Sequence, residues 1–187
     1  MPAMAALLIV VAIVVVLVLY LVTAYNGLVR RRNRVESGWA QIDVQLQRRH
    51  DLIPNLVETV KGYATHERGV FEAVTQARAN AVSATGVGNK AKAEQGVSGA
   101  LFNLLAVAEQ YPDLKANQNF LALQEELSGT EGRIAYARQF YNDEVQGYNT
   151  RLQSFPTSLV AARFGFAPRE YFEADEAASS GPVSVQF

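Results

Sequence analysis

Eighteen consecutive residues, Ala5 to Val22, carry no charged or amide side chain. Within them, Leu7 to Leu19 contains only Leu, Ile, Val and Ala. About 20 residues at 1.5 Å rise cover roughly 30 Å, the thickness of a bilayer's hydrocarbon core. A helix lying on a soluble core needs a polar face, and this one has none. The run predicts a single transmembrane helix over residues 5–25, with residues 1–4 as a short outer N-terminus. A cleaved signal peptide is the rival, because Val22-Thr23-Ala24 loosely fits a small-x-small site. The apolar run is longer than a usual signal core and lacks a basic start, which favours a retained anchor.

Arg30, Arg31, Arg32 and Arg34 follow the run closely, while Met1 to Met4 bears no side-chain charge. Basic residues beside a membrane end tend to stay cytoplasmic. The expected topology is single-pass in the cell membrane, N-terminus out and C-terminal domain cytoplasmic. The four arginines are candidate membrane-interface residues, facing anionic lipid or snorkelling at the boundary. There is no cysteine, which removes a lipoprotein anchor, disulfides, thiol catalysis and Cys-based metal sites.

The rest of the chain reads as one helical domain. Apolar residues recur every three or four positions. The first stripe runs Leu28, Val35, Trp39, Ile42, Leu46, Ile53, Val57, Val60, Ala64, Phe71, Val74, Ala77. A second runs Val97, Leu101, Leu104, Ala108, Tyr111, and a third from Phe120 through Leu127, Ile134, Ala137, Tyr141, Val145 and Tyr148 to Leu152. Thr85-Gly86-Val87-Gly88 separates the first two, Tyr111-Pro112-Asp113 ends the second, and Asn117 is a candidate N-cap for the third. Pro156 closes the third, and a short segment around Thr157 to Phe164 ends at Gly165. The fold class expected is all-α, a transmembrane helix followed by an up-and-down bundle of very long helices over residues 26–173. Residues 174–187, small and acidic, read as a flexible tail.

Pro54 lies inside the first stripe, yet the spacing continues through it. A kinked continuous helix is favoured over a hairpin at this point. One helix over residues 25–84 would run roughly 90 Å, and the second, shorter stripe covers only its distal part. Val35, Trp39, Ile42 and Leu46 are then expected on a stalk with few partners in their own chain, and they are the candidate self-association residues. A hairpin at Pro54 would bury them instead.

Several phrases are more specific than any helical pattern. They include Tyr25-Asn26-Gly27-Leu28-Val29, Ile42-Asp43-Val44-Gln45-Leu46-Gln47-Arg48-Arg49 and Asp51-Leu52-Ile53-Pro54-Asn55-Leu56-Val57-Glu58. Tyr111-Pro112-Asp113-Leu114-Lys115-Ala116-Asn117, Leu123-Gln124-Glu125-Glu126-Leu127 and Tyr141-Asn142 follow in order. On these residues the chain resembles the LemA family of bacterial single-pass membrane proteins, from about residue 20 to 173, with the tail outside the resemblance. The resemblance implies an N-terminal anchor and a cytoplasmic helical bundle, and it implies no reaction.

The chemical candidates are few. His50 and His66 share no ligand spacing and read as surface or capping residues. Glu125-Glu126 and Asp143-Glu144 are adjacent, so their side chains diverge around a helix. No Glu-x-x-His pair suggests a di-metal bundle, and Gly86-Val87-Gly88 lacks the Lys-Ser/Thr of a phosphate loop. No cofactor is expected and the chain reads as non-enzymatic. The formal charge of −1 gives no field for nucleic acid. Arg49 falls at a seam position among Asp43, Arg48 and Asp51. An inter-helix salt bridge fixing register and a polar contact surface for a partner are both open readings. Tyr111, Pro112, Asp113, Lys115 and Asn117 form a candidate partner-contact loop, with a Pro-Asp turn and Asn cap as the plainer account. The function expected is a membrane-anchored scaffold that forms homo-oligomers at the cytoplasmic face and organises lipid or partner proteins. The alternative is an adaptor or regulator of another membrane protein, a protease or sensor, without self-assembly.

Overall fold

A computed structural model describes residues 2–173. The tail predicted over 174–187, and Met1 of the outer N-terminus, lie outside the described residues. The described residues form six helices and no strand. They are α1 (Pro2–Lys61), α2 (Arg68–Ser83), α3 (Val87–Ala108), α4 (Pro112–Lys115), α5 (Gln118–Gln153) and α6 (Thr157–Phe164). The described residues divide into two compact units, one of 2–39 with Phe140–Arg169, the other of Ala40–Gln139 with 170–173.

The first unit pairs the N-terminal part of α1 with the end of α5 and with α6. Gly38 lies against Phe140 and Tyr141, and a Cβ there would sit 3.3 Å from the Tyr141 backbone. Trp39 packs on Tyr141 with ring centroids 5.7 Å apart, Arg34 meets Glu144 at 4.0 Å, and Tyr20 reaches Thr157 at 3.3 Å. Numbers fall along α5 as they rise along α1, so the helices are antiparallel. Leu28, Val35, Val145 and Tyr148 are buried in this unit.

The second unit is a bundle of α1's C-terminal part, α2, α3 and the start of α5, closed by the α4 turn. Its core is built from Ile53, Leu56, Val60, Val74, Val97, Leu104 and Leu114. α1 runs through Pro54 without reversing. The reversal comes later, at residues 62–67, where Gly62 follows the last helical residue and the Tyr63 and Ala64 amides both donate to the Val60 carbonyl. The Arg78 Nε then donates to the His50 carbonyl at 2.7 Å, so α2 lies antiparallel on α1. The expected single helix through residue 84 is thus corrected. Apolar spacing missed the turn because Val60, Ala64, Phe71 and Val74 are all buried on either side of it.

This corrects the stalk as well. Val35, Ile42 and Leu46 are each at most 2 % exposed, and Trp39 is half-buried against Tyr141. The expectation counted only the second stripe as cover, whereas the 36-residue α5 packs along α1 in both units. The four residues form intramolecular seams, not an exposed stripe.

Candidate functional site

The unusual chemistry of the second unit lies at Arg49. It occupies a seam position of α1 and is 2 % exposed. Its guanidinium donates to the Glu94 carboxylate on α3, to Glu131 of α5 at 2.8 Å, to Ser98 Oγ at 3.1 Å and to the Glu94 carbonyl at 3.3 Å. Three helices are thereby tied through one side chain. His50 is also buried, and its Nε2 approaches Glu94 Oε1 to 2.9 Å, out of line for a hydrogen bond. Burial alone would push the Glu94 carboxyl upward. The contacts and charges of His50 and Arg49 outweigh it and hold the group below its ordinary value of 4.5.

This arrangement meets the salt-bridge reading of Arg49. Flanking pairs repeat it on the surface. Arg48 meets Glu126 of α5 at 2.6 Å and Lys90 of α3 meets Asp43 at 2.6 Å, while Gln47 donates to Asp51 within α1 at 2.8 Å. Such exposed ion pairs contribute about 0–1 kcal/mol each, whereas removing one partner from the buried cluster would leave a desolvated charge unpaired. The expectation that His50 is a surface residue is corrected, since α2 and α3 close over it. Glu94 was not singled out by sequence. It lies three residues before Val97, in register with the α3 stripe, and a carboxylate at a seam position opposite a seam arginine was the available signal.

The interface arginines divide. Arg30 is exposed. Arg31 lies against Gly147, where a Cβ would sit 2.8 Å from Nη1. Arg32 stacks on Phe166 at 5.7 Å and approaches Glu36 at 4.0 Å, and Arg34 faces Glu144. Arg31, Arg32 and Arg34 therefore also build the first unit.

The segment from Tyr111 to Asn117 folds mainly as a joint. Leu114 is fully buried. Asn117 caps α5, accepting the Phe120 amide at 3.1 Å, and also donates to the Tyr63 hydroxyl at 3.0 Å. Lys115 bridges to Glu109 at 2.6 Å. Pro112 and Asp113 remain exposed, and Tyr111 is half-buried.

Two exposed apolar features went unnoticed in the sequence. In the second unit, Val44 and Tyr136, 63 % and 74 % exposed, border an open groove of about 590 Å³ with Ala40, Gly129, Gly132 and Arg133. In the first, Phe155 and Leu159 stand at the α5–α6 corner, 81 % and 64 % exposed. Among the described residues, no group of three His, Asp or Glu side chains is placed to hold a metal ion.

The chain matches the profile of the LemA family over residues 38–187. The match begins later than the phrases near residue 20 suggested and takes in the C-terminal tail, which the resemblance had left out. Magnetosome protein MamQ 2 of Paramagnetospirillum magneticum is 28 % identical, the alignment covering 99 % of this chain and 78 % of that protein. Magnetosome protein MamQ of Magnetospirillum gryphiswaldense is 26 % identical over 89 % of this chain and 71 % of its own. Protein LemA of Metamycoplasma hominis is 27 % identical, with 81 % and 69 % covered.

Proposed function

Because the chain belongs to the LemA family, we propose that it is a membrane-anchored helical scaffold without catalytic role. It self-associates at the cytoplasmic face of a bacterial membrane and organises lipid or partner proteins there. One observation carries the anchored part of this reading. The apolar segment of α1, long and apolar enough to cross a membrane, continues directly into residues that the first unit buries. Ala24 is 4 % and Leu28 0 % exposed, and Tyr25 sits edge-on to Phe164 at 5.0 Å and to Phe166 at 5.6 Å. Cleavage after Val22 or Ala24 would strip Tyr20 from Thr157 and cut beside a buried residue. A disposable leader has no reason to be built into the fold in this way, so the geometry favours retention. The arginines after the run support a cytoplasmic position for the folded units, since basic residues beside a membrane end tend to stay inside.

Self-association rests on a different surface from the one the stripe suggested. Val35, Ile42 and Leu46 are spent on intramolecular packing, whereas Val44 and Tyr136 flank a groove whose small residues allow a second helix to approach closely. The occupant we assign is a second copy, since a shared patch on identical chains closes most simply as a two-fold contact. Mass measurement of the full chain in nanodiscs tests this. Wild type is expected to form a defined oligomer, and Tyr136→Asp with Val44→Asp to reduce it to monomers while the helical signal is kept. A strictly monomeric wild type overturns self-association. Crosslinking in cells that returns a foreign membrane protein stoichiometrically, and no copies of the chain, would establish the adaptor role in its place.

A further inference from the structure

We propose that the α5–α6 corner is a second membrane contact, lying in the headgroup region of the bilayer beside α1, with Phe155 and Leu159 inserted among the acyl chains. This rests on the reading of α1 as a retained anchor. The relevant contacts all lie within the first unit. Tyr20 is two residues before Val22, the end of the apolar run, so its Cα lies roughly 3 Å inside the hydrocarbon edge. Its hydroxyl is 3.3 Å from Thr157 Oγ1, at the first residue of α6. Tyr25, about 4.5 Å beyond Val22 along the helix, packs on Phe164 at the last residue of α6. The two ends of α6 are therefore pinned to α1 on either side of the level where the hydrocarbon ends.

At that level the direction of the side chains decides. Thr157, Val160 and Ala161 face inward and are buried. Phe155 and Leu159 point away, 81 % and 64 % exposed, and Phe164 is still 56 % exposed beside Tyr25. Large apolar groups left in water at this depth have a bilayer as their neighbour, continuous with the one around α1. Tyr20 and Tyr25 at the boundary match the tyrosine enrichment of membrane interfaces. The charge agrees, since residues 150–169 include Arg151, Arg163 and Arg169 and no Asp or Glu. A short helix with an apolar outer face and basic flanks is the interfacial pattern. The scaffold would thus grip the membrane with one spanning helix and one half-inserted corner.

The test uses the full chain, which has no native cysteine, in phosphatidylcholine–phosphatidylglycerol liposomes. Single-cysteine variants Phe155→Cys, Leu159→Cys, Val14→Cys and Gln146→Cys carry an environment-sensitive fluorophore, and lipids brominated along the chain act as quencher. Val14→Cys reports the anchor. Gln146→Cys, exposed on α5, lies roughly 13 Å of helix before Phe155 on the side away from the membrane. The expected result is a blue-shifted emission and strong quenching at Leu159→Cys and Phe155→Cys, strong quenching at Val14→Cys, and none at Gln146→Cys. Quenching at Val14→Cys with none at positions 155 and 159 overturns the corner contact and leaves the anchor standing. Absence of quenching at Val14→Cys sinks both. A blue shift at 159 that depends on protein density and not on brominated lipid overturns the proposal in favour of a contact between copies.

Discussion

Replacing Glu94 by Leu isolates the buried cluster. The substitution removes the carboxylate that Arg49 and His50 share at 4 % exposure and leaves the guanidinium sealed between helices. Removing one partner of a buried ion pair costs about 3–5 kcal/mol, because the other charge stays desolvated. Here Arg49 still donates to Glu131 at 2.8 Å and to Ser98 at 3.1 Å, so the lower end, about 3 kcal/mol, is expected. For a chain of this size that corresponds to a fall in melting temperature of about 6–12 °C. Arg49→Met with Glu94→Leu removes both charges and fills the space with apolar atoms. Glu131, whose side chain is 43 % exposed, then turns to water. The double variant is expected within about 1 kcal/mol of wild type. Circular-dichroism melts of the full chain in detergent micelles measure all three proteins. A loss below about 1 kcal/mol for Glu94→Leu, or a double variant no better than it, would refute the claim that the cluster is a closed, mutually dependent set.

The same carboxylate makes stability depend on pH. Its folded value lies below its ordinary 4.5, so its contribution is present above that value and is lost as pH falls through the folded one. Acid melts should show a steeper loss for wild type than for Glu94→Gln, and parallel curves would contradict this. Gly38→Val should cost about 1–3 kcal/mol by overpacking, since a Cβ meets the Tyr141 backbone at 3.3 Å. Gly27→Ala, with nothing within 4 Å, should be neutral or raise stability by up to about 1 kcal/mol. The two melting temperatures settle the contrast. Asn117→Ala removes the α5 cap and should cost about 1 kcal/mol, read by urea unfolding.

Periodicity made the helical class, the long α5 stripe, the Asn117 cap and the Gly165 terminus legible. The C-terminal residue of α6 is followed by Gly165 at φ 71°, the left-handed position where glycine is favoured. What it could not show was direction. The residues on either side of Gly62 keep one apolar spacing although the chain turns back between them, because both arms of an antiparallel pair present their seams to the same core. The mistaken free stalk, and with it the assignment of Val35, Trp39, Ile42 and Leu46 to contacts between chains, had a second source, since only the second stripe was counted as cover and the 36-residue α5 was not. The charge at Arg49 was readable as a paired seam residue. Its partner was obscured because Glu94 lies 45 residues away on another helix. The α5–α6 corner was illegible for a different reason. Phe155 and Leu159 belong to no stripe, and only their placement beside Tyr20 and Tyr25 gives them meaning.

Whether the apolar helix is kept and joined to a cytoplasmic domain is decided by a single-cysteine topology experiment. Ala3→Cys and Ser128→Cys, both at exposed positions, are expressed in cells and treated with a membrane-impermeant maleimide, and the protein's mass is then determined. The expected result is an uncut chain in the membrane fraction, with Ala3→Cys labelled in intact cells and Ser128→Cys labelled only after permeabilisation. A soluble chain shortened near Ala24, or labelling of Ser128→Cys in intact cells, would contradict it.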